Sequence, residues 1–141
     1  GINMLPFVSD AAAVGVGAVC GALCRYQVGR VAADRIAADP KRFGHYSGWH
    51  TCGINMVGSF LLGSVAASPV ATTNGLTSRT KLLLGVGFCG SFTTFSTFSV
   101  DIVQWLAKGQ TMKAVSYVTA NNVGGIAAAA AGMSLAKRIF R

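Results

Sequence analysis

Four long stretches of the chain, at about 11–33, 49–71, 80–106 and 114–139, are dominated by apolar residues and contain few charges. A helix needs about 20 such residues to cross the roughly 30 Å hydrocarbon core of a bilayer, and each stretch is long enough. Charged residues are 11% of the sequence, whereas an ordinary soluble domain has about 25%. The sequence therefore predicts an all-α membrane protein in which residues 1–141 form one domain of four transmembrane helices.

The third stretch contains an unusual run of rings and hydroxyl groups. Every residue from Ser91 to Ser99 is Phe, Ser or Thr, and Phe92, Phe95 and Phe98 recur at every third position. Helical spacing places these rings on one broad stripe. The hydroxyls are typical either of a small-residue packing face between helices or of a polar track for a small solute. The run alone leaves both interpretations open.

Three glycines, Gly85, Gly87 and Gly90, come just before this run. Glycine inside a helix costs about 1 kcal/mol relative to alanine, so we predict that the third helix breaks near Gly90. Ser91 would then be the N-cap of the helix that follows. Broken membrane helices present half-helix N-termini to anions and unwound carbonyls to cations. The break therefore predicts an ion site of either sign.

These patterns resemble the small fluoride channels of the Fluc or CrcB family. The resemblance rests on the run GSFTTFSTFS at 90–99, supported by GALCRY at 21–26 and by TCGIN at 51–55 with GSFLLG at 58–63. It extends from about Val14 to the C-terminus. It implies a fluoride-selective channel, a multi-pass protein of the cell membrane, that exports fluoride down its electrochemical gradient and relieves fluoride toxicity.

The resemblance also implies a set of residues that form the fluoride pathway. These are Asn55, Phe95, Phe98, Ser96, Thr97, Ser99, Arg25 and Asn121. Ring edges carry a positive partial charge, and hydroxyl and amide hydrogens are uncharged donors, so such groups can replace the water around a small anion. Arg25 would make the pore entrance electropositive, and Phe92 is expected to pack or to face lipid. Asn121 stands where other relatives have tyrosine or histidine, and Gly125 where some have serine.

A structural Na⁺ is the cofactor that the resemblance implies, held by the backbone carbonyls of Gly90 and Thr93 from each of two copies. The corresponding assembly is an antiparallel, dual-topology homodimer with two pores. The basic residues fit either orientation, since five lie on the side of the termini (Arg79, Lys81, Lys137, Arg138, Arg141) and six on the other (Arg30, Arg35, Lys41, Arg42, Lys108, Lys113). Such a balance gives little orientation preference.

Other functions require features that the sequence lacks or leave its patterns unexplained. A small four-helix multidrug or cation exporter, the main alternative, would need a membrane-embedded carboxylate, and the first two stretches contain no Glu. An enzyme would need a nucleophile, base or metal cluster. A purely structural scaffold would leave the run of Phe, Ser and Thr without a purpose. We therefore rank a channel first, followed by an exporter, a scaffold and an enzyme.

The remaining chemical residues are expected to be structural or solvated. His45 and His50 belong to a predicted hydrated loop, 34–50, and are interpreted as solvated. The four cysteines, Cys20, Cys24, Cys52 and Cys89, are interpreted as small hydrophobes. The formal charge of +8 does not indicate nucleic-acid binding, because the basic residues lie in connections and at helix ends, as expected near lipid headgroups.

Overall fold

The structure, a computed structural model, describes residues 4–70 and 75–141, and these residues are mostly helical. The helices in chain order are α1 (Leu5–Ala38), α2 (Pro40–Phe43), α3 (Trp49–Ala67), α4 (78–92), α5 (Phe95–Ala107) and α6 (111–139). Within α4, a π-helical stretch, Leu82–Cys89, lies between Ser78–Lys81 and Gly90–Phe92; within α6, Ala120–Gly124 lies between Thr111–Thr119 and Gly125–Ile139. The all-helical class predicted from the sequence is confirmed.

Two stretches among the described residues are long and apolar enough to cross a membrane. They are α1 and the α4–α5 stretch Ser78–Ala107. α1 extends beyond the predicted stretch 11–33 at both ends, whereas the predicted end of the second stretch, residue 71, lies outside the described residues. Large apolar side chains are exposed along α1, among them Phe7, Val16, Val19 and Leu23. Exposed apolar surface of this extent is typical of a face that contacts lipid.

Small residues bring α1 and α4 into close contact. A Cβ atom added at Gly17 would overlap the carbonyl of Leu83, and one added at Gly21 would overlap the carbonyl of Phe88. Ser91 strengthens this contact because its hydroxyl donates to the Ala18 carbonyl at 2.8 Å. Small residues at such an interface let two helix backbones approach closely, as is common in membranes.

The same kind of packing joins α3 to α6. A Cβ atom at Gly63 would overlap the carbonyl of Ala129, and one at Gly132 would overlap the carbonyl of Phe60. The Ser64 hydroxyl donates to the Phe60 carbonyl at 3.0 Å and to the Gly132 carbonyl at 3.2 Å. These two tight helix pairs, α1 with α4 and α3 with α6, fix the frame around the break.

The predicted hydrated loop 34–50 is wrong in part. α1 continues to Ala38, and a short helix, α2, follows because Asp39 caps it and Pro40 occupies its first position. The Arg42 N–H donates to Asp39 Oδ1 at 3.1 Å. His50 belongs to α3, where its ring is half-buried, and so it is not a solvated loop residue.

The predicted position of the break, before Ser91, is also wrong. Gly90 has helical angles, φ −62° and ψ −30°, and the chain leaves the helix only at Thr93 and Thr94, whose ψ values are 157° and 121°. Ser91 does not act as an N-cap, because its hydroxyl donates to carbonyls of α1 and of its own helix. Thr94 is the N-cap instead, and its Oγ1 accepts from the Thr97 N–H at 3.2 Å.

Candidate ion pathway

Asn55 on α3 holds the extended segment 93–94 through its side-chain amide. Its Oδ1 accepts from the Thr94 backbone N–H at 2.9 Å, and its Nδ2 donates to the Thr94 carbonyl at 3.2 Å. Nδ2 also donates to Oδ1 of Asn121 on α6 at 3.0 Å. The amide oxygen thus replaces the helical acceptor that the Thr94 N–H loses at the break. Because Nδ2 carries two hydrogens, both are donated within the chain.

The break changes the hydrogen bonding of two backbone carbonyls. In a continuous helix the N–H of Thr94 would donate to Gly90, and that of Thr97 to Thr93. Here these N–H groups donate to Asn55 Oδ1 and to the Thr94 hydroxyl instead. The carbonyls of Gly90 and Thr93 therefore lose their helical donors and are suited to a hard cation. Across the described residues, no group of three or more His, Cys, Asp or Glu offers an alternative metal site.

The hydroxyl groups of the run divide into two sets. The hydroxyls of Ser91, Thr93 and Ser99 donate back to carbonyls one turn earlier, each at 2.9 Å. Those of Thr94, Ser96 and Thr97 lie together, with Thr94 Oγ1 at 3.3 Å from Ser96 Oγ and 3.2 Å from Thr97 Oγ1. Only this second set, at the first turn of α5, forms a cluster, in which Thr94 Oγ1 is bonded to both of the other hydroxyls.

The two predicted pore phenylalanines lie in different environments. The Phe95 side chain is 79% exposed, whereas Phe98 is 9% exposed, and their ring centroids are 5.6 Å apart. Phe98 stacks on Tyr117 with a centroid distance of 5.3 Å and belongs to the core cluster with Trp105. Phe92 is buried and stacks on Phe88, so its expected packing role agrees with its position.

Asn121 meets Asn55 from the opposite side of the break. It is buried within the π-helical turn Ala120–Gly124 of α6, and its Nδ2 donates to the Tyr117 carbonyl at 3.0 Å. The Tyr117 hydroxyl in turn donates to Asp101 Oδ2 at 3.0 Å. Hydrogen bonds therefore link the break through both asparagines to the Tyr117 backbone, and the Tyr117 side chain makes a separate bond to Asp101 of α5.

Arg25 reaches the break from α1. Its Nε donates to the carbonyl of Ser91 at 3.1 Å, and the side chain lines a cavity of about 440 Å³, called here the arginine cavity. Its walls are Ala22, Arg25, Tyr26, Gly29, Arg30, Ala33, His50, Thr51, Ile54, Thr94 and Thr97. The cavity thus joins two guanidinium groups to the hydroxyls at the start of α5.

A second cavity of about 240 Å³ lies on the other side of the break. It is lined by Asn55, Gly58, Ser59, Leu62, Thr93, Thr94 and Phe95. Thr94 borders both cavities and separates them. The predicted pathway residues Arg25 and Thr97 line the first cavity, and Asn55 and Phe95 line the second. Phe98, Ser96, Ser99 and Asn121 line neither of these two cavities.

Sequence reasoning missed two residues of this region. Thr94 is the N-cap of α5 and the residue that Asn55 binds. A Ser or Thr at the start of a helix is a capping signal. Several residues of the run are Ser or Thr, so this signal did not single out Thr94. Tyr117 is fully buried and contacts Phe98 and Trp105 through its ring. A tyrosine inside an apolar helix needs a partner for its hydroxyl. The presence of Asp101 in the preceding apolar stretch was the signal that could have predicted this pair.

Comparison with known proteins places the chain in a family. A family model described as CrcB-like protein, Camphor Resistance, matches residues 12–133. A fluoride-specific ion channel FluC of Gloeobacter violaceus is 39% identical over 132 residues, which cover 94% of this chain and 99% of the relative. A protein of the same name from Methanocaldococcus jannaschii is 34% identical and covers 91% of this chain and 94% of its own length. The chain therefore belongs to the CrcB family.

Proposed function

We propose that the chain is a fluoride-selective ion channel, and not an enzyme, that lets fluoride leave the cell down its electrochemical gradient. Its relatives over nearly the whole chain are named fluoride-specific ion channels. The observation that carries the proposal is the break at residues 93–94, where the Asn55 amide holds the Thr94 backbone and Thr94 and Thr97, whose hydroxyls are bonded to each other, line the arginine cavity. Four membrane-crossing segments in the plasma membrane complete the proposed architecture.

The proposed mechanism is stepwise replacement of water around the anion. Fluoride enters the arginine cavity because Arg25 and Arg30 make it electropositive. Leaving water without replacement would cost on the order of tens of kcal/mol in the Born limit, so the ion needs donors. The hydroxyl of Thr97, which accepts from Thr94 Oγ1 and so keeps its own hydrogen, supplies the first of them. The exposed ring of Phe95, on the far side of Thr94, offers its positive edge as the next contact.

The exporter alternative is not favoured. Proton-coupled cation export needs a carboxylate inside the membrane, and the acidic residues of this chain are Asp10, Asp34, Asp39 and Asp101. Asp10 pairs with Arg79 at 3.6 Å, and Asp39 caps α2. Asp101 accepts a hydrogen bond from Tyr117. Neither cavity at the break is lined by an acidic residue among those the structure describes.

An antiparallel, dual-topology homodimer is the assembly that we propose for the pathway. Phe95 is 79% exposed in the single chain although it borders the second cavity, so a second copy is needed to enclose an ion there. Gly90 is exposed as well. The carbonyls of Gly90 and Thr93 would hold a structural Na⁺ at the two-fold axis, where two copies supply four oxygens. The cation would join the copies and take no part in moving fluoride.

Reconstitution into liposomes tests this function. Vesicles loaded with potassium and sodium salts of fluoride and chloride, diluted into a potassium-free sodium gluconate solution, should release fluoride, read by a selective electrode, and retain chloride. A potassium diffusion potential set with valinomycin should drive fluoride flux without a pH gradient, as expected of a channel. Chloride release as fast as fluoride release would reject the selectivity, and flux that requires a pH gradient would favour an exporter.

A further inference from the structure

His50 lies at the mouth of the arginine cavity. It is the second residue of α3, and its ring lines the cavity together with Arg25 and Arg30 of α1. The ring approaches Gly29 of α1, where its Nε2 lies 3.8 Å from the place of a Cβ, an ordinary van der Waals distance. Its Nδ1 is buried and, within the described chain, has no hydrogen-bond partner. Buried polar atoms nearly always have a partner, so an exception calls for an explanation.

The groups that face His50 are either positive or neutral. From α1 these are Arg25, Tyr26 and Arg30; from the start of α5 they are Thr94 and Thr97; and from α3 itself the neighbour is Thr51. The carboxylate that approaches this end of α3 is Asp101. It lies 3.6 Å from the place of a Cβ at Gly48, and it accepts a hydrogen bond from Tyr117.

A proton on the imidazole would add a third positive charge to the cavity. That charge would share the cavity with Arg25 and Arg30, which line it as well. An anion in the cavity favours the protonated ring, because it attracts all three positive charges. Imidazole is also the side chain whose charge changes between about pH 5 and 8. The position of His50 thus couples proton uptake to the presence of an anion.

We propose that His50 is a proton-responsive anion-binding residue at the entrance of the pathway. The proposal rests on the proposed channel function and adds a residue to it. Binding linkage is reciprocal: fluoride in the cavity favours the protonated ring, and a fall in pH favours entry of fluoride. The channel therefore conducts better in mild acid than at alkaline pH, and His50 carries this dependence.

Fluoride efflux from liposomes at equal pH on both sides tests the proposal. We expect the wild-type rate to rise at least about fivefold as the pH falls from about 8 to 6, within the usual range of coupling between sites. His50→Gln should remove the rise. The matched control is His45→Gln, which changes the exposed histidine and should keep it. Protein-free liposomes at each pH correct for hydrogen fluoride, which crosses bilayers unaided.

A measurement on the intact site complements the variant. The chain has two histidines, so the untagged His45→Gln protein contains a single imidazole, which NMR can follow during a pH titration. Replacing sodium gluconate with sodium fluoride should move the midpoint of that titration to higher pH. A His50→Gln variant with the wild-type pH profile, or a midpoint that fluoride leaves in place, would overturn the proposal. Absence of wild-type fluoride flux at every pH would instead reject the channel function.

Discussion

Replacing Asn55 with aspartate tests the centre of the pathway, because it changes charge and hydrogen bonding with almost no change in volume. The new carboxylate can still accept from the Thr94 N–H, but it has no hydrogen for the Thr94 carbonyl or for Asn121 Oδ1. Asn121 Oδ1 then loses its donor, at about 1–3 kcal/mol, while the Thr94 carbonyl keeps the first helical hydrogen bond of α5. We expect the thermal stability of the protein to fall measurably.

The effect on flux follows from the new charge. Two unit charges 4 Å apart repel by about 4 kcal/mol at an effective dielectric constant of 20. Because each 1.4 kcal/mol changes a rate about tenfold, fluoride flux in Asn55→Asp should fall by roughly a thousandfold at neutral pH. The assay is fluoride efflux from liposomes, normalised to the amount of folded protein measured by gel filtration.

Asn122→Asp is the matched control for this change. Asn122 follows Asn121 directly on α6, is exposed, and donates to the Val118 carbonyl of its own helix at 2.8 Å. The same chemical substitution there should leave the flux close to that of the wild type. If folded Asn55→Asp protein conducts fluoride as well as the control at neutral pH, Asn55 does not border the path of the ion.

Three other perturbations address the rings, the sodium and the packing. Phe95→Leu should abolish flux without loss of stability, because the ring is exposed. Phe98→Leu should abolish flux and also lower the melting temperature, because that ring is buried. Unchanged flux in both variants would show that the rings serve only in packing. Replacing Na⁺ with N-methylglucamine should dissociate the dimer, as read by gel filtration. The reason is that a ligand bound only by the dimer stabilises the dimer, so its removal weakens the assembly. An intact and active dimer without Na⁺ would contradict the cation site. Gly21→Ala should lower the free energy of unfolding by about 1–3 kcal/mol, because the new methyl group overpacks the contact between α1 and α4. Gly15→Ala is the control and should have little effect, because Gly15 faces open space. Equal melting temperatures of the two variants would refute the packing argument.

The helical class was predictable because it depends on long, sequence-local apolar stretches. The position of the break was not, because six hydroxyls in the run from Ser91 to Ser99 are each able to cap a helix. The choice is made by contacts far along the chain. Asn55, 39 residues away, binds the backbone of Thr94, and Ser91 is drawn instead to Ala18, 73 residues away. A tertiary contact decides between local signals of equal strength.

The candidate site divides in the same way. Arg25 and Asn55 were predictable as functional suspects because a charge or an amide inside an apolar helix needs a partner. The partial burial of His50 was not, since it depends on residues of α1 and α5 that line the same cavity. The pairing of Asn55 with Asn121 is equally remote in sequence, at a separation of 66 residues. Residue type was visible in the sequence, but the partner was visible only in the fold.

The hydrogen bonds of Asn55 limit how it can serve an anion. Both of its Nδ2 hydrogens are already donated, one to the Thr94 carbonyl and one to Asn121. A fluoride ion can therefore use this amide only by displacing one of these acceptors, and Asn121 is a side chain that can turn away, whereas the Thr94 carbonyl belongs to the backbone of the break. Exchange of Asn121 for fluoride would keep Thr94 in place while the ion passes. Asn55 would then have two roles, because its contacts with Thr94 fix the break while its contact with Asn121 is the one that an ion would displace.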